Sequence, residues 1–467
     1  MTTIKSINPF EPADVVAEVE AASAARSEDV LAAGVGAQAG WAADPMLRVR
    51  ALSTLADEIE VRRQRFTDLM VREVGKPVSE AAGEVDRAVA ILRFYAQVSL
   101  DPTGEVVPGS LPGARVLVER HPLGLVLAIC PWNFPLAIPV WKTAPAMAYG
   151  NTVVIKPATP GLATADLLAE CAAEALPDGV LQVLPLSGAD TGQLLDDERV
   201  AAVTFTGSTG VGVQVAERMA RRAAPAQAEM GGQNAAIVLE DADLDAAADA
   251  IVSGAMGYAG QKCTATRRVV AVAAIRAQLE AKLAERVRAL SVGDPAAPGV
   301  TVGPLISEVA VGEFEAARSA AIDAGATEIA RATVPPADSD GAGTEGFFVA
   351  PTLLRQDDPQ TPVNQEETFG PLLTLIEVAD EEAAVAAANA TRFGLVGAVH
   401  GRDLGRAARV AGRMTTGLRR VNAPTPGVDF YAPFGGEGQS SFGPREQGRA
   451  AREFFTSSST TTIIPLD

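Results

Sequence analysis

Cys263 stands in Ala259-Gly260-Gln261-Lys262-Cys263-Thr264, after a helical run and beside a lysine. A thiol among polar residues next to a cation ionises more readily, and the thiolate is the nucleophile. Cys130 and Cys171 have apolar or helical surroundings and read as small structural hydrophobes. Upstream, Ala228-Glu229-Met230-Gly231-Gly232 offers a carboxylate before two glycines, which suits a general base in a tight turn or an ordinary solvated glutamate. Asn133 lies in Pro131-Trp132-Asn133-Phe134-Pro135, inside an apolar run. If buried, its amide must find partners, and it could act as a fixed oxyanion donor. Gly207-Ser208-Thr209-Gly210-Val211-Gly212 joins a strand to a helix, where backbone N–H groups can receive an anion; an ordinary βα turn reads the same way. Glu366-Glu367-Thr368-Phe369-Gly370-Pro371 is an acidic pair before a turn, with a solvated face as its plain reading. Gly34-Val-Gly36-Ala-Gln-Ala39 fits the dinucleotide fingerprint, but no strand precedes it and an Ala/Gly helix-packing face explains it better.

These residues need a framework. The 467 residues carry 39 basic and 58 acidic side chains, a net charge of −19, with 48% hydrophobic residues. Such a chain buries a large core and divides into two or three domains. The acidic balance argues against nucleic-acid and anionic-membrane partners. Two histidines, His121 and His400, and three cysteines cannot assemble a His-rich or zinc-cluster metal site, so no metal is expected. Three scattered cysteines suit a reducing compartment, and no apolar leader follows Met1 to Phe10, so a cytoplasmic protein is expected. The uncharged run Pro122 to Trp141 contains four prolines and reads as strand, loop and helix rather than a membrane span.

Helical spacing dominates Ser27 to Tyr95, as in Leu47, Val49, Leu52, Leu55 and Ile59. Strands are expected in Val116 to Ile129, Asn151 to Lys156, Val180 to Leu184, Val200 to Thr206, Ala235 to Leu239, Arg267 to Val272 and Thr374 to Val378. Helices are expected at Ala163 to Leu176, Gly212 to Arg222, Asp245 to Tyr258, Ile275 to Leu290 and Glu381 to Ala390. This alternation means βαβ units and parallel sheets. Val334 to Gly346 reads as a surface loop, and Phe454 to Ile464 as a terminal strand able to pair with a partner chain.

In order along nearly the whole chain, PWNFP, VVIKP, FTGST, EMGG, GQKCTAT, EETFGP and PFGG resemble the aldehyde dehydrogenase superfamily. The resemblance implies an α/β fold with a Rossmann-like NAD(P)-binding domain over 1–103 and 123–231. It further implies an α/β catalytic domain over 232–438, and a small β oligomerisation element from 104–122 and 439–467. A homodimer or homotetramer acting on a small-molecule aldehyde is implied. By match of motif, Cys263 would be the nucleophile, Asn133 and the Cys263 N–H the oxyanion donors, and Glu229 the base that hydrolyses a thioester. Lys142 resembles the family lysine near the active site. Lys156 would bind the adenosine ribose or a 2′-phosphate, Gly207, Ser208 and Gly212 the pyrophosphate turn, and Glu367, with Phe369 beside it, the nicotinamide ribose; Trp132 would lie near the cofactor. Thr159 stands where NAD-preferring members carry Glu, so NADP is expected to be accepted beside NAD, with the preference between the two left open. Glu229 favours hydrolysis over transfer to coenzyme A.

GQKCTAT, EMGG, GVDFYAPFGG and SSFGPREQG look most like the α-ketoglutaric semialdehyde (2,5-dioxopentanoate) dehydrogenases, although Glu437-Gly438 stands where those usually carry a basic pair. Arg419 or Arg420 is the candidate cation for an anionic substrate, with a surface or interface ion pair as the equally good plain reading. With Phe134, Trp141, Phe430 and Tyr431 nearby, an uncharged aliphatic or aromatic aldehyde is an alternative; succinic semialdehyde is another, weakened because its dehydrogenases often carry Arg where this chain has Trp141. A non-catalytic member would have lost Cys263 or Glu229, and a cofactor-free thiol hydrolase would need a histidine beside the thiol.

Overall fold

Leu125–Ile129 is apolar and buried at all five positions, the pattern of a strand covered on both faces. It is the centre of one of two large sheets. The computed structural model describes residues 3–334 and 346–465; most of the expected loop Val334 to Gly346 lies outside the described residues. The first sheet has the order Ser441–Phe442, Ala226–Glu229, Val200–Thr206, Leu125–Ile129, Thr152–Lys156, Leu181–Val183. Its strands are parallel except Ser441–Phe442, which runs against Ala228 and Glu229. From Leu125–Ile129 the chain winds outward through Thr152–Lys156 and Leu181–Val183, then returns to the other side at Val200–Thr206. That reversal leaves a crevice at the carboxyl ends of Leu125–Ile129 and Val200–Thr206, where open α/β sheets bind ligands. Register sets Lys156, Ile129 and Phe205 side by side there.

The second sheet has the order Thr327–Arg331, Thr352–Arg355, Leu372–Val378, Thr266–Val272, Asn234–Val238, Val396–His400, Leu418–Val421. Only Thr327–Arg331 is antiparallel. Thr266–Val272 is buried throughout although it contains Arg267 and Arg268. Buried charge is tolerated where hydrogen bonds compensate it. Arg268 donates to the carbonyls of Gln233, Ala387 and Ala388, and Arg267 to those of Gly260, Lys262 and Gly370. A third sheet is antiparallel, Thr456–Ile463 against Arg115–Pro122 against Gly104–Pro108.

Four helices, Ala24–Ala43, Pro45–Val61, Arg63–Val74 and Val78–Val98, share one apolar core with the first sheet. No helix among the described residues is long and apolar enough to cross a membrane. Three boundaries move. The helix expected from Gly212 begins at Thr209, so that Ser208 holds the extended N-cap position. The helix expected to reach Tyr258 stops at Met256 because Tyr258 and Ala259 adopt left-handed φ values of 54° and 51°. The terminal strand begins at Thr456, since Phe454 and Phe455 are buried in the first core on a helical turn, Arg452–Phe455. The expected grouping of 439–467 therefore divides: Ser441–Phe442 joins the first sheet, Gly448 accepts from the buried Tyr95 hydroxyl, and only Thr456–Ile463 enters the third sheet.

Candidate active site

The turn that leads into Cys263 is built from strained backbone. Tyr258, Ala259 and Gly260 are consecutive left-handed residues, and a Cβ on Gly260 would overlap the Gly370 carbonyl. Left-handed non-glycine residues cost about 1 kcal/mol or more each and persist only where the surroundings over-determine them. Here they do. The Tyr258 hydroxyl donates to the Val74 carbonyl (3.0 Å), and Gln261 is fully buried with its amide bonded to Tyr258, Pro304 and Ile306. Arg267 clamps the Gly260 carbonyl at 2.7 Å. Cys263 follows, half-buried.

Two cavities meet at Cys263. One, of about 300 Å³, lies at the crevice of the first sheet and is lined by Trp132, Asn133, Gly207, Ser208, Glu367 and Phe369 among others. The second, of about 210 Å³, is lined by Arg87, Phe134, Trp141, Val428 and Phe434 among others. A larger hollow of about 450 Å³ between Glu80 and Arg286 does not reach Cys263.

Asn133 is brought beside the thiol by two anchors. Its amide donates to the Gln261 carbonyl at 2.9 Å, which leaves its second N–H for the cavity. Its carbonyl accepts from Lys76 at 2.7 Å. Lys76 is wholly buried, paired with Glu84 and stacked over Phe134 and Tyr258. Glu84 also accepts from the N–H groups of Leu136 and Ala137 at 2.9 Å, at the start of helix Ala137–Ala148.

The electrostatics correct one expectation. Lys262 does not activate the thiol: its ammonium is committed to Glu80 at 2.7 Å. Burial pushes the Cys263 thiol up to about 12, and the carboxylates of Glu367, Glu229 and Glu446 push the same way. Cys263 therefore rests as the thiol.

Glu229 is buried and accepts from the Ser441 hydroxyl at 2.6 Å. Burial first, and the nearby Glu446 second, raise its pKa well above the usual carboxylate range. Lys142 does not line either cavity; its ammonium pairs with Glu446 and donates to Thr204 (3.0 Å) and the Phe205 carbonyl (3.1 Å). Lys142 therefore meets Glu446 and the strand Val200–Thr206 rather than either cavity.

Glu367 Oε1 is buried with no partner among the described residues, and so is Thr206 Oγ1 at the same crevice. Buried polar atoms left open in this way ask for a ligand. Gly231 permits this approach, because a Cβ there would overlap the Glu367 carboxylate. Trp132 and Phe369 meet edge to face at 5.8 Å and wall the cavity. Lys156 and Thr159 do not line it; they follow along the neighbouring strand end, with burial lowering the Lys156 pKa. Gly212 packs against Met230 and Phe205 rather than facing the cavity.

The expected substrate cations are corrected. Arg419 is exposed and Arg420 donates to the Gly427 carbonyl at 3.1 Å; neither lines the Cys263 cavities. Both sit on the sheet-edge strand Leu418–Val421. Phe430 packs on Phe94 and Tyr431 instead of facing Cys263. Glu437 pairs with Arg445. Sequence reasoning missed Arg87, Lys76, Glu84, Ser441 and Glu446. Glu84 and Arg87, three apart on helix Val78–Val98, carried only the signal of an ordinary helical charge pair.

The sequence model of the aldehyde dehydrogenase family matches residues 1–461. The chain belongs to the aldehyde dehydrogenase family. It is an oxidoreductase of that family, and the seven motifs fall on the elements just described. An α-ketoglutaric semialdehyde dehydrogenase of Bacillus subtilis is 39% identical over 99% of this chain and 95% of its own length. Among solved structures, an NAD-dependent aldehyde dehydrogenase from Sinorhizobium meliloti superposes with a TM-score of 0.94 at 32% identity, covering 100% of this chain and 93% of the other. An NADP-dependent enzyme of E. coli gives 0.93 at 32% identity, covering 99% and 95%. The cofactor of this aldehyde dehydrogenase is NAD or NADP, and the crevice fits one: an open carboxylate at Glu367, a glycine turn at Gly207 and an aromatic wall.

Proposed function

We propose that the enzyme oxidises α-ketoglutaric semialdehyde to the free acid through a covalent adduct on Cys263. The observation that carries this reading is that Cys263, alone among the described residues, lines both cavities, with the Asn133 amide anchored beside it. The thiol passes its proton to solvent water as the sulphur attacks the aldehyde carbon. The carbonyl oxygen becomes an oxyanion held by the free Asn133 N–H and the Cys263 N–H. A nicotinamide bound in the crevice supplies the hydride acceptor. Glu367 and the Gly207 turn hold and orient it. Collapse of the oxyanion leaves a thioester on Cys263. Glu229 then takes a proton from water, which attacks the acyl carbon and frees the thiolate and the acid. Lys142 and Glu446 bracket Glu229 and set its charge environment.

The semialdehyde assignment draws on the Bacillus subtilis relative and on the motifs shared with that group. A panel of α-ketoglutaric semialdehyde, succinic semialdehyde, an aliphatic aldehyde and benzaldehyde tests it. The expected result is the highest kcat/KM with α-ketoglutaric semialdehyde. Preference for the uncharged aldehydes overturns the assignment and leaves the aldehyde dehydrogenase standing.

The lack of a carboxylate at Thr159 supports use of NADP, since no charge there repels a 2′-phosphate and Lys156 can pair with it. Thr159→Glu is expected to lower the NADP/NAD ratio of kcat/KM by about tenfold to a hundredfold, from like-charge repulsion of about 1–3 kcal/mol. An unchanged ratio refutes the role of position 159. The strand Thr456–Ile463, exposed at seven of its eight residues, supports an assembly role for the third sheet in a dimer or tetramer.

A further inference from the structure

The cavity that receives the aldehyde carries a charge the mechanism does not use. Arg87 lines it from helix Val78–Val98, with Phe134, Trp141, Val428 and Phe434 as the other walls. The guanidinium has five N–H donors. One terminal nitrogen donates to the Val428 carbonyl at 2.6 Å. Its Nε is buried with no partner among the described residues. The two carboxylates that act on it through space are Asp429 and Glu84. Asp429 is exposed, and Glu84 is committed to Lys76 and the N–H groups of Leu136 and Ala137. The cavity's other cation, Lys262, is neutralised by Glu80. In a chain of net charge −19, this apolar chamber thus holds a surplus of one positive charge, with donors to spare.

We infer that Arg87 is the specificity-determining residue of this enzyme: it binds a carboxylate at the far end of the aldehyde while the carbonyl lies at Cys263. The inference rests on the semialdehyde reading above and names the residue that reads it. A half-buried guanidinium whose nearby carboxylates are exposed or already paired keeps an open demand for a partner, and a carboxylate with two acceptor oxygens is what its planar fork accommodates. The Val428 carbonyl holds one arm of the fork, so the guanidinium is positioned at the cavity before a ligand arrives. The aromatic walls exclude water and strengthen the contact.

The test compares α-ketoglutaric semialdehyde with pentanal, an uncharged aldehyde of the same chain length, in wild type, Arg87→Met and Arg87→Lys. The readout is the ratio of their kcat/KM values. Wild type is expected to favour the semialdehyde. Arg87→Met is expected to lower the ratio by about a hundredfold, mainly through the KM of the semialdehyde, as for loss of one partner of a desolvated charge pair. Arg87→Lys should fall between, since it keeps charge and loses the fork. A ratio that survives in Arg87→Met overturns the inference and leaves the semialdehyde reading intact. Equal loss for both aldehydes marks Arg87 as structural and overturns it too. A wild type that prefers pentanal overturns both. Should Arg87→Met fail to fold, inhibition of wild type decides the matter: glutarate is expected to compete with the semialdehyde while uncharged glutaramide does not, and equal inhibition by the two overturns the inference.

Discussion

Cys263→Ala is expected to abolish aldehyde oxidation, by at least about 10⁴-fold in kcat, while the protein stays folded. No other nucleophile replaces it. Cys130 and Cys171 are buried away from both cavities, and burial raises their thiols to about 12 and about 11. Losing one sulphur from a half-buried site costs about 1 kcal/mol or less, so thermal melting should shift little. Nicotinamide reduction and a melting curve on the same sample check both halves. Residual turnover above a hundredth of wild type would remove Cys263 from its role. The protonation state gives a second handle on the same residue. With burial and three carboxylates holding the thiol near 12 in the cofactor-free enzyme, alkylation by iodoacetamide should climb about tenfold per pH unit through the neutral and alkaline range. A plateau near neutrality would mean the thiolate is already formed at rest.

Glu229→Gln should separate the two halves of the reaction. Gln keeps the shape and can keep the Ser441 contact, but it cannot accept a proton from water. The expected outcome is a rapid first turnover, one reduced nicotinamide per Cys263, followed by a steady state lower by about 10²–10⁴-fold. Rapid mixing with product trapping reads both phases. A steady state equal to wild type means another group activates the water. The pH dependence follows from the raised pKa. Wild-type hydrolysis should rise with pH as Glu229 ionises, and the variant should lose that limb. Stability runs the other way. A carboxyl whose pKa is higher folded than unfolded stabilises the fold at low pH, and this contribution fades as pH rises through the folded value. Glu229→Gln, which stays neutral, should therefore resist alkaline unfolding better than wild type.

The parts of this site that a reader of the sequence can find are those whose role is local. Asn133, Glu229, Glu367 and Cys263 each sit within three residues of a glycine or proline that marks a turn, and the parallel strands announce themselves as continuous apolar runs such as Leu125–Ile129. What could not be read depends on distant pairing. Lys262 looked like an activator of the thiol because Glu80, which neutralises it, lies 182 residues away. Glu446 reaches Lys142 across 304 residues, and Arg87 meets Val428 across 341. Arg419 and Arg420 looked like substrate cations because two arginines in a strand are unusual. Strand alternation and an edge position turn Arg419 to solvent and Arg420 to the Gly427 carbonyl. The strained Tyr258–Ala259 pair has no signature of its own, since neither residue favours the left-handed region.

The two chambers flanking Cys263 share that residue and no other among their principal walls. This makes taste and fuel separately heritable. A lineage can exchange Arg87, Trp141 or Phe434 and feed on a different aldehyde without touching the wall of Trp132, Gly207, Ser208 and Glu367. It can equally retune its nicotinamide through the neighbourhood of Lys156 while keeping its diet. Only the sulphur answers to both.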